Sequence, residues 1–180
     1  VWPTPISVIQ EFSEEEVSLL LNGKNMQFEM ATSTPTKNNG WIKLNAGQTG
    51  FFRVNYPLAE WEVLKEAIKT KGLHAIDRLG LEGDAYALMK AGMLPATTYL
   101  SLSEAFSNED AATVWGSLSA SFGGLMNLLR DQDYITSVEA FAGDLYKQIV
   151  QIAGWEPAKG EGHLDTLRRS IVLASAGMYG

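Results

Sequence analysis

The stretch Trp41-Ile-Lys-Leu-Asn45, which is followed after Ala46-Gly-Gln-Thr49 by Gly50-Phe-Phe-Arg-Val-Asn-Tyr56, decides how this 180-residue chain is organised. On both sides of a polar segment that contains glycine, apolar and polar residues alternate. This pattern predicts two strands of a β-hairpin, with residues 46–49 as the loop. The sequence before the stretch has the character of strands, and the sequence after it has helical periodicity. We therefore expect a sheet followed by helices.

Three further segments before the hairpin are typical of strands. Ile6–Phe12 is rich in β-branched residues, Val17–Leu21 is a short apolar run that ends at a turn, and Met26–Met30 alternates apolar with polar positions. Residues 32–40 form a polar loop with proline and glycine. About five short strands within 56 residues predict a small antiparallel β-sandwich.

A helix that links the sheet to the rest of the chain is predicted from Pro57 onward. Proline suits the first turn of a helix, an apolar stripe follows at helical spacing, and Lys71-Gly72 is typical of a helix end. The stripe consists of Leu58, Trp61, Leu64 and Ile68.

From Ala75 the periodicity predicts one helix after another, with short connections. The first helix contains Leu81, Ala85, Leu88 and Met89 and ends at Gly92 and Pro95, and the second runs from a Thr98 cap to about Phe106. The third follows a Ser107 cap and buries Trp115, Leu118, Phe122, Leu125 and Leu129. The fourth starts at Asp131 or Asp133 and ends before Gly154, and the last covers Leu164–Met178, with Leu167, Ile171 and Ala174 facing inward. Gly123-Gly124 inside the third helix predicts a kink or a close helix contact. Antiparallel pairs of such helices stack into a solenoid.

Several motifs occur in a fixed order along the chain: Trp41-x-Lys43-Leu-Asn45, Gly50-Phe-Phe-Arg53-Val-x-Tyr56, Asp77-Arg78, Asp84-Ala-x-x-Leu88, Ala91-Gly92, Glu109-Asp110, Val114-Trp115, Gly154-Trp155, Glu161, Leu167 and Arg168. In this order the chain resembles the gluzincin aminopeptidases of the puromycin-sensitive type, over essentially its whole length. The resemblance implies a partial β-sandwich over residues 1–56, truncated at its N-terminal side, and a linking helix over 57–74. Residues 75–180 would form the first part of a HEAT/armadillo-like helical solenoid, the C-terminal domain of the family.

The residues that do the chemistry in this family have no counterpart here. The H-E-x-x-H zinc motif and the G-x-M-E-N motif for the substrate's amino group are missing, and the only histidines are His74 and His163. The resemblance therefore implies a C-terminal segment without the catalytic domain, holding no catalytic, cofactor-binding or metal-binding residue. Zinc would belong to the parent enzyme, whose catalytic domain and peptide substrates would be the partners of this segment. In the family, the solenoid walls off the substrate chamber.

Composition limits the possible functions. The net charge is −7 and no Lys/Arg cluster exists, which disfavours nucleic acids and acidic membranes as partners. The absence of cysteine removes disulfides, thiolate zinc sites and thiol nucleophiles. No run of 18 apolar residues and no targeting segment is visible, so we expect a cytoplasmic protein.

Few side chains are candidates for chemistry. His74 and His163 lie 89 positions apart, and neither has a His or Glu at the spacing of zinc ligands, so we do not expect either to bind metal. His163, near a helix start, is expected to have a capping or surface role. Arg78 and Glu82, one helical turn apart, are interpreted as an ordinary surface pair, whereas the family resemblance implies that Arg78 and Asp84 pair between helical layers.

Arg53 is expected to anchor the sheet to a neighbouring domain. Trp41, Trp61 and Trp115 are expected in the core, and Trp2 and Trp155 are expected to pack at the ends of elements.

Two other functions remain open. A freestanding helical-repeat module could bind a protein or peptide on its concave face. An independent hydrolase would have to use Glu82 and Asp84 as its acid and base, which the sequence supports only weakly.

Overall fold

The computed structural model describes residues 2–13, 15–28 and 40–179, and there a small sheet is followed by six α-helices. The elements are β1 (Thr4–Gln10), β2 (Val17–Leu21), β3 (Ile42–Leu44), α1 (Leu58–Lys69), α2 (Ala75–Lys90), α3 (Ala96–Glu104), α4 (Ala112–Leu129), α5 (Ile135–Ala153) and α6 (His163–Tyr179), with 3-10 turns over Ala46–Gln48 and Ala105–Asn108. The predicted order of strands before helices is confirmed. None of the described helices has the length and apolar character that crossing a bilayer requires.

The sheet has the order β2-β1-β3, and both pairings are antiparallel. β1 lies in the middle, with Ser7 opposite Ser18 of β2 and Ile9 opposite Lys43 of β3. The strands predicted from Ile6 and from Val17 are confirmed. Residues 26–28 are not in a strand, so the third predicted strand is wrong there, while Met30 and residues 32–39 of the predicted loop lie outside the described residues. The sandwich and the solenoid stay predictions.

The predicted hairpin is wrong. β3 pairs with β1, and residues 50–56 form no strand. Asn45 and Gly47 adopt left-handed backbone angles (φ 59° and 64°), which turn the chain into a 3-10 turn instead of a hairpin loop. The Asn45 side chain then closes the turn, because its Oδ1 accepts the Gly50 N–H at 2.7 Å and its Nδ2 donates to the Gly50 carbonyl at 3.0 Å. The chain leaves the sheet at this turn, and the segment that follows lies against helix α2.

Two helices end as the sequence predicts. After α1, Lys71 takes the left-handed conformation (φ 56°), and the Gly72 N–H donates to the Ala67 carbonyl at 2.8 Å. After α2, Gly92 takes that conformation (φ 70°), and the next N–H donates to the Leu88 carbonyl at 2.9 Å. Both ends are Schellman motifs, which satisfy carbonyls that the helix itself leaves without a partner.

Three helix starts are later or earlier than predicted: α3 starts at Ala96 and not at Thr98, α4 starts at Ala112 and not directly after Ser107, and α5 starts at Ile135 and not after Asp131 or Asp133. Pro95 precedes α3 with φ −58°, a backbone angle that suits a helix start. Before α4, the Glu109 carboxylate accepts the N–H groups of Asp110 and Ala111 at 2.8 Å each, so Ser107 does not act as the cap.

One continuous hydrophobic core extends from Trp41 to Val172 and takes in the linking helix α1. Trp41, Trp61 and Trp115 lie in it, as predicted. Trp2 and Trp155 are 90% and 72% exposed, so the prediction that they pack at element ends is wrong. At the centre of the core, the ring centroid of Phe122 lies 6.3 Å from that of Tyr99 and 6.3 Å from that of Tyr146.

The inward face of α6 differs from the prediction. Leu167 and Ala174 are exposed, and the buried positions are Arg169, Val172 and Ser175. Polar partners explain the difference. Arg169 forms an ion pair with Glu161, and the Ser175 hydroxyl donates to Ser119 on α4 at 2.9 Å. The apolar pattern alone could not identify a face that contains two polar residues.

Candidate functional site: the polar junction

Helix α2 carries four charged side chains that are almost completely buried: Asp77, Arg78, Glu82 and Asp84, none more than 5% exposed. Burying a charge is costly unless it is paired and hydrogen-bonded. Three of the four form ion pairs, each with a different segment of the chain. We call these four residues and their partners the polar junction; the partners are Lys43, Asn45, Arg53, Tyr99, Glu109, Asp110 and Ser117.

Lys43 ties strand β3 to α2. Its side chain is 1% exposed, and its Nζ lies 2.9 Å from Asp77 Oδ1. The same ammonium donates to the carbonyls of Asn45 (2.7 Å) and Leu44 (3.1 Å), while Asp77 Oδ1 also accepts the Gly47 N–H at 2.8 Å. Burial lowers the pKa of Lys43, and the hydrogen bond and charge of Asp77 oppose that change. One carboxylate therefore fixes both the strand and the turn that follows it.

Arg53 ties residues 50–56 to α2. Its Nη1 lies 3.1 Å from Asp84 Oδ1, and the Val54 N–H donates to Asp84 Oδ2 at 3.2 Å. Burial raises the pKa of the Asp84 carboxyl, and the Arg53 guanidinium works in the opposite direction. Arg53 thus anchors its own segment to α2; because that segment is not a strand, the predicted anchoring of the sheet to a neighbouring domain stays a prediction.

Arg78 ties α2 to the start of α4. Its Nε and Nη2 donate to the two oxygens of Glu109 at 2.7 Å each, a bidentate ion pair, and its Nη1 donates to the Leu73 carbonyl at 2.6 Å. The hydrogen bonds from Arg78 to Glu109 raise the pKa of the guanidinium. Glu109 in turn accepts two N–H groups before α4, and its carbonyl accepts the indole N–H of Trp115 at 3.0 Å. Each of the three nitrogens of this buried guanidinium group donates to at least one acceptor.

Two sequence-based pairings on α2 are wrong. Arg78 does not pair with Asp84, because six residues correspond to about 600° of helix rotation and the side chains diverge by about 120°. Arg78 and Glu82 are not a surface pair either, since both are buried and each binds elsewhere. Glu82 and Asp84 are two positions apart, so they point to nearly opposite sides of the helix and do not meet as an acid and a base.

Glu82 differs from the other charged residues of α2. Its side chain is completely buried, Tyr99 donates to Oε1 at 3.1 Å and the Ser117 hydroxyl donates to Oε2. Within the part of the chain that the structure describes, no cation lies at ion-pair distance from it. Burial raises the pKa of Glu82, and the hydrogen bonds from Ser117, Ser121 and Tyr99 oppose that rise. The site thus favours the neutral acid.

Asp110 extends the junction to two further helices. Its carboxylate accepts a hydrogen bond from Lys71 Nζ at 2.7 Å and lies 3.4 Å from Arg78 Nη2. Its carbonyl accepts from Arg168 Nη1, on α6, at 3.0 Å. The hydrogen bond from Lys71 lowers the pKa of Asp110. The C-terminal end of α1 and the N-terminal ends of α2 and α6 therefore meet at the start of α4.

Two glycines let the turn after β3 and the following segment with Arg53 lie against α2. A Cβ at Gly80 would overlap the Gln48 side chain, and a Cβ at Gly83 would lie 3.1 Å from Arg53 Nη1. A third glycine confirms the predicted close helix contact, because a Cβ at Gly124 of α4 would overlap the Tyr86 hydroxyl of α2. The helix continues through Gly123-Gly124 without interruption.

Most of the charged residues of the ordered motifs meet in the polar junction, although their pairing could not be assigned from sequence. The signal that could have revealed it is the composition of α2, where charges and two glycines interrupt the apolar stripe on several sides, leaving no polar face. A helix without a distinct polar face is a buried helix. The partners lie about 30 positions away along the chain, which local spacing cannot identify.

The described residues do not form a zinc site. His74 is exposed before α2, and His163 is exposed at the first position of α6. In residues 2–13, 15–28 and 40–179, no three His, Cys, Asp or Glu side chains are grouped as metal ligands would be. The charges of α2 are held by partners within the chain, so this arrangement positions elements of the fold.

Comparison with known proteins agrees with the motifs. Residues 41–180 match the ERAP1-like C-terminal domain family. Aminopeptidase M1-A of Oryza sativa subsp. japonica is 31% identical over 99% of this chain and 21% of its own length. The puromycin-sensitive aminopeptidase of Caenorhabditis elegans is 27% identical over 96% of the chain and 18% of its own length, and the glutamyl aminopeptidase of Homo sapiens is 27% identical over 97% and 18%.

The chain thus spans about a fifth of the length of these relatives. The family match covers α1 to α6 together with β3 and every residue of the polar junction. This chain belongs to the ERAP1-like C-terminal domain family.

Proposed function

We propose that this chain is the non-catalytic C-terminal segment of a zinc aminopeptidase, an enzyme that removes N-terminal amino acids from peptides. The observation that carries the proposal is the family match over residues 41–180, together with relatives that are named aminopeptidases. Because the chain corresponds to about a fifth of those relatives, the remaining four-fifths of such a protein can hold a separate catalytic domain. We assign the zinc ion and the catalytic residues to that domain.

Within the parent enzyme, the segment would shape and close the chamber in which peptide substrates bind. A wall of this kind has to keep its form while peptides enter and leave. The polar junction supports this role, since buried and fully satisfied polar networks make an arrangement rigid and unique. The catalytic domain of the parent would be the direct partner of the segment.

The first test measures hydrolysis of a panel of aminoacyl fluorogenic substrates by the purified chain, with zinc added and then chelated. We expect no zinc-dependent turnover from folded protein. Zinc-dependent turnover that disappears on chelation would overturn the assignment of catalysis to another domain.

The second test uses a chimera, defined as full-length rice aminopeptidase M1-A in which this chain replaces the matching fifth. We expect the chimera to hydrolyse aminoacyl substrates and to differ from the rice enzyme in its preference for peptide length. The controls are the unmodified rice enzyme and the same enzyme without that fifth. A folded chimera that is as inactive as the deletion variant would contradict the proposal.

A further inference from the structure

We propose that Phe51 and Arg53 form the contact through which this chain docks onto another part of the same enzyme, a protein surface with an apolar pocket bordered by a carboxylate. The inference rests on the proposed function, because it names the surface by which the segment would meet its catalytic partner. We call Phe51, Phe52 and Arg53 the docking loop.

The docking loop presents an aromatic ring on a fixed backbone. Phe51 is fully exposed. On its N-terminal side, both polar groups of Gly50 are bound by the Asn45 side chain, and on its C-terminal side the Val54 N–H is bound by Asp84. An aromatic side chain on a backbone that is already fixed requires little ordering of the chain on binding, which is the property of an interface anchor.

Other exposed aromatic residues are held differently. Trp2 precedes the first strand, and Trp155 lies in the connection between α5 and α6. In the described part of the chain, neither has side-chain hydrogen bonds to the backbone on both flanks, as Phe51 has. A chain that uses buried side chains to fix the backbone on both sides of a fully exposed ring is expected to use that ring for recognition.

Arg53 supplies the charge for the same contact. Its side chain is 58% exposed, and only Nη1 is engaged, with Asp84. Within the described residues, its Nε and Nη2 have no hydrogen-bond partner. These two groups form the edge that binds a carboxylate in bidentate geometry. Arg53 also lines an open cleft of about 410 Å³, together with residues that include Gln48 and Phe52.

The length of the relatives indicates that the surface bound by the docking loop is another part of the same enzyme. About four-fifths of each relative lies outside the matched region, so a large protein surface is available within one molecule. Nucleic acid does not fit, because the chain has a net charge of −7. The combination of one aromatic anchor and one arginine matches the enrichment of these residue types at protein interfaces.

The test is the accessibility of position 51 in the chimera. The chain contains no cysteine, so Phe51→Cys introduces its only thiol. We compare the rate of iodoacetamide alkylation at that position in the isolated chain and in the chimera, using mass spectrometry of the peptide that carries it. The matched control is Leu128→Cys, at a position on α4 that is also exposed.

We expect alkylation at position 51 to be about tenfold slower or more in the chimera, and alkylation at position 128 to change much less. Equal rates at position 51 in the isolated chain and in an active chimera would overturn this inference and leave the proposed function intact. A folded but inactive chimera would overturn both.

The carboxylate is tested separately with Arg53→Glu and Arg53→Lys. We expect Arg53→Glu to shorten the thermal half-life of the chimera several-fold more than that of the isolated chain, and Arg53→Lys to restore part of the loss. If Arg53→Glu shortens both half-lives by the same factor, Arg53 serves only Asp84 and the proposed carboxylate is wrong.

Discussion

The polar junction and the packed helices α4, α5 and α6, which we call the helical end, are held together in different ways. At the junction, three ion pairs join β3, residues 50–56 and the start of α4 to helix α2; the pairs of Lys43 and Arg78 are buried, and in the third Arg53 is partly exposed. Among α4, α5 and α6, apolar side chains are joined by hydroxyl groups, with Ser119 2.8 Å from Tyr146 and 2.9 Å from Ser175. Both regions are well packed, but charge joins several elements at the junction, whereas at the helical end the buried ion pair of Arg169 with Glu161 joins α6 only to the connection before it.

This difference determines how each region responds to substitution. Removal of one partner of a buried ion pair leaves an uncompensated charge and costs about 3–5 kcal/mol, whereas loss of one neutral hydrogen bond costs about 0.5–1.5 kcal/mol. Ion pairs of defined geometry also specify which elements meet. Apolar contacts specify this less strictly. The junction is therefore the region in which the arrangement of the domain is specified.

The largest effect is expected from Arg78→Met. Glu109 would remain buried without its bidentate partner, so we expect the free energy of unfolding to fall by about 3–5 kcal/mol. Urea denaturation followed by circular dichroism measures this loss. The double variant Arg78→Met/Glu109→Leu removes both charges and should recover much of it. A loss below about 1 kcal/mol in the single variant would mean that the junction is no stronger than a surface contact.

An intermediate effect is expected at the contact between α2 and α4. Gly124→Ala would push a methyl group into the Tyr86 hydroxyl, and overpacking of this kind costs about 1–3 kcal/mol. Gly123→Ala is the matched control, since no atom lies within 4 Å of its Cβ and alanine favours the helix by up to about 1 kcal/mol. Thermal unfolding should separate the two variants in opposite directions. Equal melting temperatures would show that Tyr86 moves away freely.

At the helical end, Tyr146→Phe should cost about 0.5–1.5 kcal/mol, because it removes one buried hydroxyl and keeps the ring in place. Burial raises the pKa of Tyr146 to about 12, so this hydroxyl remains protonated in the ordinary pH range. Tyr134→Phe, at an exposed position, is the control and should leave the urea midpoint unchanged. A loss as large as that of Arg78→Met would erase the contrast between the two regions.

The smallest expected effect is the pH dependence of folding stability that Glu82 imposes. Its pKa is higher in the folded chain than the ordinary value of 4.5, so the folded state keeps a proton that the unfolded state loses. Its contribution to stability is therefore complete below pH 4.5 and declines as the pH rises towards the folded-state pKa. We expect Glu82→Gln to flatten this decline in urea unfolding measured at a series of pH values. Asp84, whose pKa is also raised by burial, should leave a residual slope. An unchanged slope would show that Glu82 is ionised in the folded chain.

Much of the architecture could be predicted from sequence, because it depends on local patterns. The order of strands and helices and the end of α1 near Lys71-Gly72 follow from periodicity, and the end of α2 follows from Gly92, a residue that tolerates the left-handed angle; at α1 the left-handed residue is Lys71 and not the glycine. The inward face of α6 could not be predicted, since Arg169 and Ser175 turn inward to partners on other elements.

The hairpin and the junction could not be predicted for a related reason. The alternation in residues 50–56 is typical of a strand, but Asn45 turns the chain away and Asp84 binds Val54 instead. The charges of α2 have local partners at plausible spacing, so sequence favours pairs such as Arg78 with Glu82. The observed partners come together only in the folded chain. The ordered motifs identified many of these residues but did not indicate how they pair.

Whether the polar junction makes the sheet and the helices one folding unit is tested most directly by hydrogen exchange with mass spectrometry at increasing urea concentration. Peptides that cover β1 and β3 report on the sheet, and peptides that cover α4 report on the helices. Because Lys43 and Trp41 lie in contacts shared with α2 and the core, we expect both sets to exchange at the same urea concentration. Exchange of the β1 and β3 peptides at a distinctly lower urea concentration would contradict this account.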